Sequence, residues 1–129
     1  MSERPRQLRQ NNDNRWDFLA GVLPHRINPT DIDLVFERRG RFLVLEGKRM
    51  GATFGVGQRL FYDRMSALPQ FTVIHFYGDP PEDVRAFGFW GQKAQPGTTA
   101  ELQALVARWF AWVEAGCPAR STTIEERTA

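Results

Sequence analysis

The chain has 129 residues, 42% of them hydrophobic and 25% charged, with a formal charge of +2. That length supports one apolar core and excludes two independent ones, and so small a net charge gives no bulk drive toward a polyanion. A lone cysteine, Cys117, and two distant histidines exclude an internal disulfide and a structural zinc site, and no apolar run reaches membrane-spanning length.

In chain order, residues 1–11 are polar, carry Arg4, Arg6 and Arg9, and are expected to form a flexible basic arm. The amino end has no apolar stretch of signal-peptide length, so a cytoplasmic location is expected. A single domain is expected over residues 12–116, followed by a flexible tail over 117–129. Asp13 or Asn14 can cap a short helix through Arg15 to Ala20, ended by Gly21, with Trp16, Leu19 and Ala20 as its buried stripe. Val22 to Pro29 holds two prolines and reads as an irregular or edge strand. His25 lies there as a loop histidine, outside the chemistry proposed below.

Asp31 to Glu37 and Arg41 to Lys48 read as two strands joined by a turn with Gly40 at positive φ. Phe42, Leu43, Val44 and Leu45 form a continuous apolar run, the mark of a strand buried on both faces. Asp33 stands at the start of the first strand and Glu46 near the end of the second. Side chains two apart on a strand share a face, so Glu46 and Lys48 point the same way and Gly47 the other. Two carboxylates able to hold a divalent cation, with an ammonium beside them, form a site suited to phosphodiester hydrolysis. The alternative is an ordinary strand pair, Glu46 with Lys48, and a solvated Asp33.

Gly51, Gly55 and Gly57 follow, but no Lys-Ser or Lys-Thr pair completes a phosphate loop, so the segment reads as a flexible connector. A helix is expected over Gly57 to Leu68, with Leu60, Phe61, Met65 and Leu68 on its apolar face and Gln58 in its first turn. Phe71 to Tyr77 is a further strand, Gly78 to Pro81 a turn, and Val84 to Trp90 a shorter strand nearer an edge. Thr98 or Thr99 caps a long helix to about Ala115, its stripe formed by Leu102, Leu105, Val106, Trp109, Phe110 and Val113. Gly116 and Pro118 end it. The element order predicts an α/β or α+β fold, a sheet with helices on its faces.

Asp33, the thirteen-residue step to Glu46, the Glu-x-Lys of Glu46 to Lys48, and a helix opening with Gln58 resemble the PD-(D/E)xK nuclease superfamily, most of all its small resolvase-like and phage or prophage nucleases. The similarity covers Asn28 to Tyr77. The resemblance implies a restriction-endonuclease-like mixed sheet and a metal-dependent deoxyribonuclease. Asp33 and Glu46, with the Gly47 carbonyl, would bind Mg²⁺ or Mn²⁺. Lys48 would orient or activate water or neutralise transition-state charge, and Gln58 would hydrogen-bond water, lysine or phosphate. Asp31 is an outer-shell candidate, and Asp17 a further acid of the kind some relatives carry. Gly47 stands where the family pattern has an apolar residue.

Only two lysines occur among 17 basic residues, so a lysine at position 48 is a choice against the chain's default cation, arginine, which cannot readily lose a proton. The implied substrate is DNA, with junction-resolving, nicking, exonucleolytic and restriction-like activities all open. Arg38, Arg39, Arg49 and Arg59, with the arginines of the arm, are candidate phosphate contacts. A domain this small is expected to pair as a homodimer to cover two strands, through the helix stripe near Trp109 and Trp112 or the strand near Phe87 and Phe89. The other function class is a catalytically inactive module of the same fold that binds DNA or a protein without metal.

Overall fold

The computed structural model describes residues 17–27 and 29–119. The arm with Arg4, Arg6 and Arg9, the helix start at Arg15 and Trp16, and the tail beyond residue 119 lie outside the described residues. The chain divides into two compact units, Met1–Asp33 and Leu34–Ala129.

In the first unit the expected helix is a single 3₁₀ turn, Asp17–Leu19, and Leu19 and Ala20 are exposed rather than a buried stripe. Gly21 at φ 77° stops the turn before it is long enough to present one. No strand forms among the described residues of Val22 to Pro29. His25 and Arg26 are both left-handed, at φ 63° and 60°, and two such residues in succession break an extended chain.

The second unit is a mixed α+β structure: a five-stranded sheet in the order β1-β2-β3-β4-β5 with two α-helices. The strands are β1 (Leu34–Arg38), β2 (Arg41–Lys48), β3 (Phe71–Gly78), β4 (Val84–Phe89) and β5 (Gln95–Pro96). The helices are α1 (Val56–Ser66) and α2 (Thr99–Glu114). β1 and β2 form an antiparallel hairpin, β3 runs parallel to β2, and β4 and β5 continue antiparallel. At the hairpin turn Arg39 and Gly40 are both at positive φ, 53° and 78°, the backbone that matches strand twist in a two-residue turn. The Glu37 carboxylate accepts from the Gly40 amide at 2.9 Å and fixes it.

Alternation along β2 and β3 divides the core into two layers. Leu43, Leu45, Ile74 and Phe76 pack against Leu102, Leu105, Trp109 and Val113 of α2. Val44 and Val73 face the other way and pack with Tyr62 of α1. The buried strand expected from its unbroken apolar run is therefore buried on both sides, by one helix on each face. β4 is not the outer strand, since β5 pairs beyond it, and Phe87 and Phe89 pack half-buried on the α2 layer.

The face of α1 differs from the expected one. Leu60 and Leu68 are exposed, while Tyr62 is fully buried with Phe61 and Met65 beside it. A tyrosine supplies more apolar area than a leucine and has a polar tip, and here that tip has a buried partner, described below.

α2 opens as the sequence predicts. The Thr98 hydroxyl accepts from the Glu101 amide at 3.2 Å and the Glu101 carboxylate accepts from the Thr98 amide at 2.8 Å, a reciprocal capping box. Thr98→Ala removes one of those bonds and is expected to destabilise the protein by about 1 kcal/mol, read as a lower denaturant midpoint with an unchanged slope.

Candidate active site

The site is built at the carboxyl end of β2, on the face covered by α1. Glu46 is only 4% exposed, and both its oxygens accept from α1: Oε1 from the Tyr62 hydroxyl at 2.6 Å, Oε2 from the Gln58 amide at 3.3 Å. Residues 58 and 62 are one turn apart on a helix and so lie on one face, which is why a single helix grips both oxygens. The Gln58 carbonyl accepts from the Lys48 ammonium at 3.2 Å. An amide is the side-chain group that fits this bridge, because it must donate to an acceptor-only carboxylate and accept from a donor-only ammonium. Glu46, Gln58 and Lys48 thus form one hydrogen-bonded line.

Around this line is a wall of rings. The Lys48 ammonium lies 4.9 Å from the centre of the Phe54 ring, a cation–π contact. Phe54 meets Trp90 edge-on at 5.0 Å, and Trp90 also contacts Tyr62 at 5.1 Å and His75 at 5.6 Å. The Trp90 indole donates to Asp63 of α1 at 2.7 Å, which ties the helix to the end of β4. These rings lower the local dielectric, and electrostatic interactions in the polar line gain strength accordingly.

The parallel register puts His75 beside Glu46 and Tyr77 beside Lys48. His75 is 8% exposed; its Nε2 lies 2.9 Å from the Gln92 carbonyl and its Nδ1 2.8 Å from the Tyr77 hydroxyl. A carbonyl only accepts, so Nε2 donates to it, and Nδ1 shares a hydrogen bond with the Tyr77 hydroxyl. Burial pushes the Tyr77 hydroxyl above its ordinary value, so it stays protonated at neutral pH.

Gly47 explains itself through β3. A Cβ placed there would lie 2.6 Å from Cζ and 2.7 Å from Cε2 of Phe76, its neighbour in register. The ring of Phe76 occupies the space that an apolar side chain at position 47 would fill.

The other predicted residues fall in different places. Asp33 ends the first unit and immediately precedes β1, and Asp31 and Asp17 belong to the same unit. Arg49 follows Lys48 directly, 4.0 Å from Asp79, and Arg59 follows Gln58 in the first turn of α1. Arg38 and Arg39 sit at the hairpin turn, seven residues from Lys48 along β2 counting from Arg41, roughly 20 Å at strand rise. Both pair with Glu114 of α2, and Arg38 also covers the Phe110 ring. The hydrogen bond with Arg38 holds the Glu114 carboxyl below its usual value. The two arginines therefore tie the hairpin to α2, away from the Glu46 end.

Sequence reasoning did not single out Tyr62, His75, Tyr77, Phe54 or Trp90. Two signals were present: Tyr62 stands one helical turn after Gln58, and His75 and Tyr77 share one face of the strand expected over Phe71 to Tyr77.

Among the described residues, no group of three or more His, Cys, Asp or Glu side chains gathers closely enough to hold a metal ion. Mg²⁺ does not require one, since it commonly takes one or two protein carboxylates and keeps several waters. A buried carboxylate with hard oxygens, oriented by neutral donors at a strand end, fits that demand. No helix among the described residues is long and apolar enough to cross a membrane. The chain matches no protein-family model, no curated protein and no solved structure.

Proposed function

We propose that this protein is a metal-dependent nuclease that hydrolyses DNA phosphodiester bonds. The observation that carries the reading is the line Lys48–Gln58–Glu46, an ammonium, an amide and a buried carboxylate joined at the end of a strand whose four central residues are buried. A salt bridge serving stability alone has no need of an intervening amide or of a lysine in a chain that otherwise uses arginine.

Glu46, with the Gly47 carbonyl, would hold Mg²⁺ or Mn²⁺, water completing the ion's shell. Bound there, the ion would supply Lewis-acid polarisation of the phosphodiester and a lowered pKa for a coordinated water. The chain's own residues supply the rest. Gln58 fixes the separation of Glu46 and Lys48, so the positive and negative groups keep their places without collapsing onto each other. The Lys48 ammonium, anchored on Gln58 and on the Phe54 ring, is placed to neutralise charge that develops on the phosphoryl oxygens. The first turn of α1 has no acidic residue of its own and Gly55 offers no side-chain cap, so the carboxylate that meets this helix end comes from β2, through Gln58. Arg59, in the first turn of α1, and Arg49, next after Lys48, are the arginines suited to backbone phosphates. Homodimerisation remains part of the proposal, as the means of reaching both strands of a duplex.

One observation favours the inactive binding module instead: both oxygens of Glu46 already accept hydrogen bonds from α1. The experiment that separates the two is cleavage of supercoiled, linear, single-stranded and four-way-junction DNA with Mg²⁺, Mn²⁺ or EDTA, using wild type beside Lys48→Ala. Cutting that requires metal and falls by about a hundredfold or more in Lys48→Ala is expected. DNA binding that is indifferent to EDTA, with no cutting, would establish the binding module.

A further inference from the structure

We propose that Tyr62 is a positioning residue for the Glu46 carboxylate, setting its orientation toward the metal; the inference rests on the nuclease reading. Tyr62 heads the fully buried side chains, at 0% exposure, and its hydroxyl donates to Glu46 Oε1 at 2.6 Å. Phenylalanine would fill nearly the same space in the α1 layer. The hydroxyl adds nothing to that packing and brings a polar group out of water, a cost met through a hydrogen bond to the site.

The ring is fixed from several sides. Phe61 lies 5.1 Å away on the same helix, Phe54 6.2 Å away on the connector, and Trp90 5.1 Å away at the end of β4. A ring so constrained fixes where its hydroxyl oxygen lies, within hydrogen-bond reach of Glu46 Oε1. Gln58, one turn earlier, takes the other oxygen. Rotation of the carboxylate about its terminal bond would break both hydrogen bonds together, so its plane is set by the register of α1 rather than by the sheet that carries it. Groups that orient a ligating carboxylate in this way typically govern metal affinity by about 10–100-fold.

Tyr62→Phe keeps the ring and deletes the donor. Mn²⁺ binding, measured calorimetrically without DNA, is expected to weaken by about 10–100-fold. The Mn²⁺ concentration that half-saturates cleavage is expected to rise by the same factor. The KM for DNA stays as in wild type, and kcat largely recovers at saturating metal, a pattern that a merely structural role would not produce. Tyr62→Phe that binds Mn²⁺ as tightly as a wild type that itself binds and cuts would overturn the positioning role and leave the nuclease standing. A wild type that neither binds Mn²⁺ nor cuts DNA overturns both. Should Tyr62→Phe not fold, a structure of the wild type with Mn²⁺ decides: Glu46 on the metal and still bonded to the Tyr62 hydroxyl supports the role, and a hydroxyl turned away from a metal-bound Glu46 overturns it.

Discussion

Glu46→Gln is expected to lower metal-dependent cleavage by at least about a hundredfold while leaving the fold intact. The substitution preserves shape but replaces an anionic oxygen with an NH₂ group that cannot ligate a hard cation. The hydrogen bonds survive, because the Tyr62 hydroxyl can rotate and accept from the new NH₂ while the remaining oxygen accepts from Gln58. Glu46→Ala behaves differently. It strips the acceptor from both Tyr62 and Gln58 in a site only 4% exposed at Glu46, and is expected to cost about 1–3 kcal/mol in stability besides the activity. Comparing thermal melts and plasmid relaxation rates of the two variants separates loss of charge from loss of structure. A Glu46→Gln protein that cuts at the wild-type rate would remove Glu46 from the chemistry.

Gly47→Val places an apolar side chain between Glu46 and Lys48 and is expected to destabilise this protein by about 3 kcal/mol. A Cβ at position 47 already meets Phe76 at 2.6 Å, and Phe76 is 7% exposed within the layer under α2, so its ring has little room to retreat. The branched methyls of valine add to the overlap despite valine's preference for strands. A fall of more than about 10 °C in melting temperature follows for a domain of this size. Phe76→Leu shortens the blocking side chain, and the double variant should be less destabilised than the sum of the two single ones. A Gly47→Val protein that melts with wild type would show that the ring gives way. The pair is a local exchange of volume between neighbouring strands: the bulk absent at position 47 is supplied by position 76.

That exchange illustrates which features a single sequence can and cannot declare. The apolar run of β2, the strand at Phe71, and the cap and stripe of α2, apart from the exposed Phe110, were legible because their periodicity is written in adjacent residues. So was the shared face of Glu46 and Lys48, which needs only the two-residue repeat of a strand. The amide between them was legible by type and place, since Gln58 opens the helix that follows. Its partners were not, because they depend on how α1 rolls on the sheet. Leu60 has the spacing of a buried stripe, yet the helix turns Tyr62 inward, where its ring fills the layer and its hydroxyl finds Glu46, and it ends at Ser66, before Leu68. Gly47 could be seen only as a departure from a pattern, since its reason is a ring on another strand. The two left-handed residues at His25 and Arg26 carry no sequence signal strong enough to rule out a strand. β5, two residues long and containing a proline, gives too little periodicity to read.

The arrangement of α1 has a consequence for motion. The same eleven-residue helix closes one apolar layer with Tyr62 and carries both groups that grip Glu46. When that helix opens, the layer is wetted and the carboxylate is released in the same event, so no intact site can outlive a local loss of the helix. Amide exchange along α1 would then measure more than local stability. The fraction of time its inner amides are protected is an upper limit on the fraction of time the protein is competent, and any ligand that grips the closed site must slow that exchange in proportion to its occupancy.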